Sequence, residues 1–296
     1  MALRFIGILL LGAVAAAQGG ATGRLLALLR SSDPGRNHKE FLTAVVEAGP
    51  AALPALDQLL GPVGPAPNAQ SRKYVLASIG LIGGSQALSI IRGEYDRGDK
   101  TLKPALAAVL ATADSPQSRA SLVGMLGEDP DDIATLQAAA LALGILRAPE
   151  GASALQSFSA SPHSPEAEIA ELALHWMAIG EWRVDVQNGG ERDRALAAVL
   201  RNGIPGVPET VPVFDEDTRR TWKYGASGWK SSPTQAADRA TFGPTAYSVI
   251  SANGVRAAVS IESRCGPGCG GGSYDFILRK VSGQWRVQSI FPASIG

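Results

Sequence analysis

This chain of 296 residues has no formal net charge and few aromatic residues. It carries 27 basic and 27 acidic side chains, so its formal net charge at pH 7 is zero. A neutral chain has no electrostatic reason to bind nucleic acid or an anionic membrane surface. Only 6% of its residues are aromatic, and all five tryptophans follow residue 175. Hydrophobic residues still make up 45% of the chain, which is enough for a folded core.

Histidine and cysteine are too few and too scattered to predict a metal centre. His38, His163 and His175 fall in different segments, and Cys265 and Cys269 are the two cysteines. A zinc site needs about four ligands, typically with C-x2-C spacing, whereas three residues separate this pair. No G-x-S-x-G sequence occurs either. We therefore predict no catalytic residue, no metal ligand and no cofactor.

An apolar run at the N-terminus predicts a signal peptide. The 13 residues from Phe5 to Ala17 follow the basic Arg4 and end in three alanines before Gln18. Small residues after a short apolar segment are what a signal peptidase recognises. As a helix the run would rise about 20 Å, less than the roughly 30 Å core of a bilayer. We expect residues 1–17 to be removed and the mature chain to be periplasmic or secreted, with no stable membrane span. A buried first helix is the alternative.

Paired helices are predicted from residue 25 to about residue 201. Small residues recur every 31 to 36 positions, at Gly49, Gly80, Ala111, Gly144 and Gly180. Each is predicted to mark the corner of a helical pair, as in the stretch 136–158. A period in the low thirties made of paired helices is typical of an α-solenoid. Because one pair cannot bury its apolar face alone, about five pairs would stack around a shared core.

Four dipeptides predict helix starts, with a capping side chain followed by proline at the first helical position. They are Asp33-Pro34, Ser115-Pro116, Asp129-Pro130 and Ser164-Pro165.

Two stretches, AGPAALPALDQLL (48–60) and AALALGILRAPEGASAL (139–155), resemble HEAT-type repeats. They are similar to the short variety also found in bacterial phycobilin lyases, although no chromophore-handling motif accompanies them here. The resemblance covers residues 25–201. It implies a HEAT-like solenoid that serves as an interaction surface.

The sequence pattern changes after residue 203. Residues 204–243 are rich in proline and aromatics and predict a linker and an irregular segment, with Asp215 to Trp222 as a candidate short helix. Residues 244–296 alternate between apolar and polar side chains. They predict an antiparallel meander of about four strands, with hairpin turns at Asn253-Gly254 and Ser282-Gly283. The fold class is therefore mainly α, with residues 18–203 as the solenoid and 244–296 as a small β-domain.

The C-terminal unit resembles one found in exported bacterial proteins, with a CG-x-x-CG-x-G loop before Y-x-x-x-L-x-K-x-x-G-x-W-x-V. The matching residues are Cys265, Gly266, Cys269, Gly270, Gly272, Tyr274, Leu278, Lys280, Gly283, Trp285 and Val287. The resemblance implies export and a fold, but no reaction. In an oxidising compartment we expect Cys265 and Cys269 to form a structural disulfide. A labile, regulatory disulfide is the alternative.

The function that these features favour is extracytoplasmic binding or scaffolding of another protein, through the concave face of the solenoid. A contact patch of His175, Trp176, Trp182 and Arg183 is a candidate, because Trp and Arg are favoured at binding hot spots. Alternatively, both tryptophans seal the end of the solenoid.

Two other functions stay open. One is a cell-envelope hydrolase that uses the cleft between the domains. The other is a small-ligand protein whose β-domain resembles the nuclear transport factor superfamily, which an enclosed apolar cavity would support and a filled core would oppose.

Overall fold

A computed structural model describes residues 20–31, 33–34, 36–61, 69–97, 100–129, 132–159, 165–178, 190–204, 211–225, 228–233, 244–262 and 273–292. In this part the chain is mainly helical, with a β-sheet near its C-terminus. The helices are α1 (20–29), α2 (His38–Ala48), α3 (Leu53–Leu60), α4 (Ala69–Ile82), α5 (Gly84–Asp96), α6 (Lys103–Ala113), α7 (Pro116–Glu128), α8 (Ile133–Leu146), α9 (Ala152–Ser159), α10 (Pro165–Ala178) and α11 (Glu191–Leu200). No helix in these ranges is long and apolar enough to cross a bilayer.

The helices from α2 to α9 form successive pairs. The first helix of each pair ends at a residue with left-handed backbone, and these residues recur every 31 to 34 positions at Gly49, Gly83, Asp114 and Arg147. The first helices α2, α4, α6, α8 and α10 each pack against the next. Behind them α3 contacts α5, and α7 contacts α9. The predicted period is therefore visible, but Gly80, Ala111 and Gly144 lie inside helices, three residues before each turn.

Only some of the predicted capping dipeptides lie at the start of a helix. Ser115 caps α7 as predicted, and its hydroxyl accepts the backbone N–H of Ser118 at 3.0 Å. The cap of α8 is Asp132, three residues after the predicted Asp129. The prediction at Asp33-Pro34 was wrong, because α2 begins at His38 and Asn37 accepts the N–H of Glu40 at 3.1 Å.

Within the described residues, seven strands form one mixed sheet in the order β3-β2-β1-β4-β5-β6-β7. They are β1 (Val213–Asp215), β2 (Arg220–Gly225), β3 (Gly228–Pro233), β4 (Thr245–Ile250), β5 (Arg256–Glu262), β6 (Ser273–Val281) and β7 (Gln284–Pro292). Strands β4 to β7 form the predicted antiparallel meander. However, β1 pairs in parallel with β4, so the sheet is larger than predicted and is not wholly antiparallel.

The additional strands come from the segment that was predicted as a linker. The candidate helix from Asp215 to Trp222 was wrong. The carboxylate of Asp215 accepts the backbone N–H groups of Asp217 (3.0 Å) and Thr218 (3.3 Å), which makes a turn between β1 and β2. Trp222 on β2 then packs inward, with 2% of its surface exposed. Strands this short show too little alternation to be separated from loops by sequence pattern.

Helices cover both faces of the sheet. Strands β4 and β5 contact α2, and β7 contacts α6 and α8. Helix α11 contacts β4, β5 and β7. It lies on the other face, because Glu191 of α11 binds Lys280 on β6, which projects to the opposite side from Asp275 beneath α2. One continuous hydrophobic core joins the helices and the sheet. The face that the first helices would offer to a partner is therefore occupied by the chain's own sheet.

Candidate functional site

The N-terminus of α2 meets the sheet at a buried carboxylate. Nε2 of His38 lies 2.9 Å from Oδ2 and 3.1 Å from Oδ1 of Asp275, whose side chain is 4% exposed. Asp275 on β6 pairs with Ser260 on β5, which pairs with Tyr247 on β4. Cross-strand neighbours project from the same face of a sheet. This row therefore places a carboxylate and two hydroxyls beneath α2.

Lys39 extends this site to the turn between β1 and β2. Its ammonium pairs with Asp217 and lies 5.6 Å from the centre of the Tyr247 ring, within the range of a cation–π interaction. Oδ2 of Asp217 also accepts the backbone N–H of Ser248 at 3.1 Å and lies 3.2 Å from the guanidinium of Arg192 on α11. One mostly buried carboxylate thus connects α2, β4 and α11. We call His38, Lys39, Asp217, Tyr247 and Asp275 the junction cluster.

The electrostatics of the junction cluster favour a charged histidine. Burial alone would lower the pKa of His38, but the hydrogen bond that its Nε2–H donates to Asp275 and the negative charge of that carboxylate outweigh burial and raise the pKa. Burial raises the pKa of Tyr247, so the phenol stays neutral. The His38 side chain is 31% exposed and can exchange protons with solvent in the range where histidine titrates. The described contacts indicate that the cluster attaches α2 to the sheet. The strength of its central pair, His38 and Asp275, depends on the protonation of His38.

A second polar contact fastens α11 to the opposite face of the sheet. Oε1 of Glu191 lies 2.9 Å from Nζ of Lys280, and Oε2 accepts the indole N–H of Trp285 at 3.0 Å. Arg194 pairs with the same carboxylate. The hydrogen bond from Lys280 lowers the pKa of Glu191 most. The hydrogen bond from Trp285 and the positive charge of Arg194 lower it further. The sheet is therefore held by ionic contacts on both faces.

The predicted contact patch is only partly within the described residues. His175 is exposed on α10. Trp176 is 2% exposed, and its indole N–H is hydrogen-bonded to the carbonyl of Asn202 after α11. Trp176 therefore belongs to the core, and the patch as a binding surface stays a prediction. Trp182 and Arg183 lie outside the described residues.

Cys265 and Cys269 also lie outside the described residues, so their disulfide stays a prediction. Within the described ranges, no three residues among His, Cys, Asp and Glu are grouped closely enough to hold a metal ion.

A small-ligand cavity under the sheet has little support from the described strands. The positions that face α11 are filled by Val259, Phe276 and Leu278, none more than 1% exposed. A surface groove of about 350 Å³ lies between α1 and α2, beside the ion pair of Arg24 and Glu47. It is lined by helices rather than by the sheet.

Sequence reasoning treated His38 as an isolated histidine, because 237 positions separate it from Asp275. Asp275 lies between the apolar residues Tyr274 and Phe276, so the alternation places it on the opposite face of its strand but does not show that another element covers this face. One signal could have revealed the second buried face. The stretch Ala257 to Val259 on β5 is apolar without alternation, which is typical of a strand covered on both sides.

No family model matches the chain, and no curated protein matches it. A solved structure of human deoxyhypusine hydroxylase in complex with glycerol is 27% identical over 43% of this chain and 43% of that chain. The TM-score is 0.33, which supports no inference about the fold or function of this protein.

Proposed function

We propose that this chain is an exported protein-binding scaffold, built on a HEAT-like solenoid in residues 18–203. The apolar N-terminal run before Gln18 and the cysteine pair support export. The recurrence of left-handed turns every 31 to 34 residues supports the solenoid. Stacked helical pairs commonly present extended surfaces to protein partners.

The observation that carries this proposal is that one row of helices packs against the sheet, whereas the other row does not. The first helices α2, α6 and α8 contact the sheet, and α2 is fastened to it through the junction cluster. The second helices α3, α5, α7 and α9 are left to face outward. We therefore assign partner binding to this outer row rather than to the concave face.

Most of the exposed residues on α7 and α9 are small or uncharged, with Glu128 at the end of α7 as the exception. Gln117, Ala120 and Gly124 are exposed on α7, and Ser153 and Gln156 are exposed on α9. Such side chains keep the surface flat and lose little solvation or rotamer freedom when they are covered. Specificity would then come from shape and from hydrogen bonds to the amides and hydroxyls.

Site-specific photocrosslinking in the native cell tests the proposal. Benzoylphenylalanine would replace Gln86, Gln117 or Gln156 on the outer row, and Gln284 at the β6–β7 turn as an exposed control. We expect one and the same protein to be captured from the three helical positions and not from Gln284. We also expect Gly124→Arg to abolish capture from position 117. Capture from Gln284 alone, or unrelated products from each helix, would refute the outer row as the binding surface.

A further inference from the structure

Three arginines occupy one row across three neighbouring strands. Arg256 on β5 pairs directly with Arg279 on β6, which pairs directly with Arg286 on β7. Direct cross-strand neighbours have Cβ atoms about 5 Å apart on the same face, so the row is about 10 Å long. Like charges in this arrangement repel one another and destabilise the sheet.

Arg256 is held between the sheet and the end of α2. The turn residue Gly49 lies against its guanidinium, and any side chain at position 49 would overlap with Nη1. Nη1 is buried and, in the part of the chain that the structure describes, has no hydrogen-bond partner. Burial and then the charge of Arg279 lower the pKa of Arg256 to about 10. The group therefore remains a cation at neutral pH, in a place where a cation is costly.

No described carboxylate compensates this row. Several other basic side chains have acidic partners, such as Arg24 with Glu47 and Lys103 with Glu128. Within the described ranges, Arg256, Arg279 and Arg286 form no ion pair. Arg279 and Arg286 are exposed, so an ion from solvent can reach the row.

We propose that Arg256, Arg279 and Arg286 form a binding site for a compact oxyanion with two negative charges, of which phosphate is the reference. The site goes beyond the proposed scaffold function and does not depend on it. A guanidinium donates two parallel hydrogen bonds to phosphate oxygens, which makes arginine the preferred residue for this group. Three long side chains that begin about 5 Å apart can converge on one such ion.

The charge of the ligand follows from the charge of the row. A dianion offsets two of the three positive charges and removes most of the repulsion between neighbours. A monocarboxylate offsets one and leaves the repulsion between the other two. Gly49 holds the guanidinium of Arg256 in place, so binding of the ion costs no conformational entropy for fixing this side chain.

Isothermal titration calorimetry on the full mature chain tests the site, at low ionic strength in a phosphate-free buffer. The three probes are inorganic phosphate, glycerol phosphate and acetate. We expect saturable binding of inorganic phosphate at one site, and acetate at least tenfold weaker. Glycerol phosphate bound as well as phosphate indicates a phosphate ester as the natural ligand, and preference for inorganic phosphate indicates the free ion.

The double variant Arg279→Gln with Arg286→Gln removes the two exposed members of the row. Its affinity for phosphate should fall at least tenfold, while Arg92→Gln, at an exposed position of α5, should leave it unchanged. Without phosphate, the double variant should melt at a higher temperature than the parent, because repulsion is relieved. Absent phosphate binding, equal binding by parent and double variant, acetate bound as tightly as phosphate, or a lower melting temperature would each overturn the proposal.

Discussion

Nε2 of His38, the first residue of α2, lies 2.9 Å from Oδ2 of Asp275 on β6. The pair joins the helical part of the chain to the sheet. Because Asp275 is buried, removing its partner would leave a carboxylate with little solvation. The contact therefore links the protonation of one histidine to the attachment of α2.

The first prediction concerns the pH dependence of stability. The pKa of His38 is raised above its ordinary value of 6.5, so the folded state binds the proton more tightly than the unfolded state. The resulting stabilisation is fully present below pH 6.5 and is lost as pH rises through the folded-state pKa. We expect His38→Gln to lower the free energy of unfolding by about 1 kcal/mol in acid and by less above neutrality.

Urea denaturation of the parent and His38→Gln across the range from mildly acidic to mildly alkaline pH measures this difference. Glutamine keeps a hydrogen-bond donor for Asp275 but cannot carry the charge, so the comparison isolates protonation. A difference between the two proteins that stays constant with pH would contradict the prediction.

The second prediction concerns two glycines inside helices. A Cβ at Gly80 would lie 2.6 Å from Cζ of Phe291 on β7, whereas a Cβ at Gly124 would meet nothing within 4 Å. We expect Gly80→Ala to destabilise the fold by about 1–3 kcal/mol, because the buried ring of Phe291 or the helix itself must shift. Gly124→Ala should stabilise it by about 0.5–1 kcal/mol through a reduced chain entropy of the unfolded state. Thermal unfolding measures both, and shifts of the same sign would refute the contact with the sheet.

The third prediction concerns the contact that fastens α11. Glu191→Ala would leave the indole N–H of Trp285, a residue 1% exposed, without its acceptor. We expect a loss of about 1–3 kcal/mol in the free energy of unfolding, measured with urea. Glu191→Gln keeps an acceptor and should lose less. The pKa of Glu191 is lowered, so its charged carboxylate stabilises the fold at pH values above the ordinary pKa of 4.5. This stabilisation disappears as pH falls through the folded-state pKa. Equal losses in both variants at neutral pH would show that the indole bond contributes nothing.

The fourth prediction concerns export and the cysteine pair. The intact mass of the exported protein should correspond to a chain that begins near Gln18 and lacks two hydrogens. Reduction should restore both hydrogens and lower stability by about 2 kcal/mol, since Cys265 and Cys269 close a small loop. Retention of residues 1–17 would contradict signal cleavage, and thiols that react with an alkylating reagent before reduction would contradict the disulfide.

Local sequence determined most of the helices and the last four strands. The helix from His38 and the strand from Gln284 begin where the apolar periodicity begins, and the hairpin turn at Ser282-Gly283 has both residues in left-handed conformation. These features depend on neighbours within about four residues, which is the range that periodicity and turn chemistry report.

Only the tertiary structure decided how the two parts meet. Gly80 is recognisable in the sequence as a small residue near a corner, but that it accommodates Phe291 depends on the sheet lying across α4. His38 and Asp275, like the arginine row, are brought together by strand register and helix packing between distant segments. Periodicity shows which face of an element is apolar, but it does not show which other element covers that face. For this reason the sequence indicated helical pairs and a meander, and the polar contacts between them came only from the folded chain.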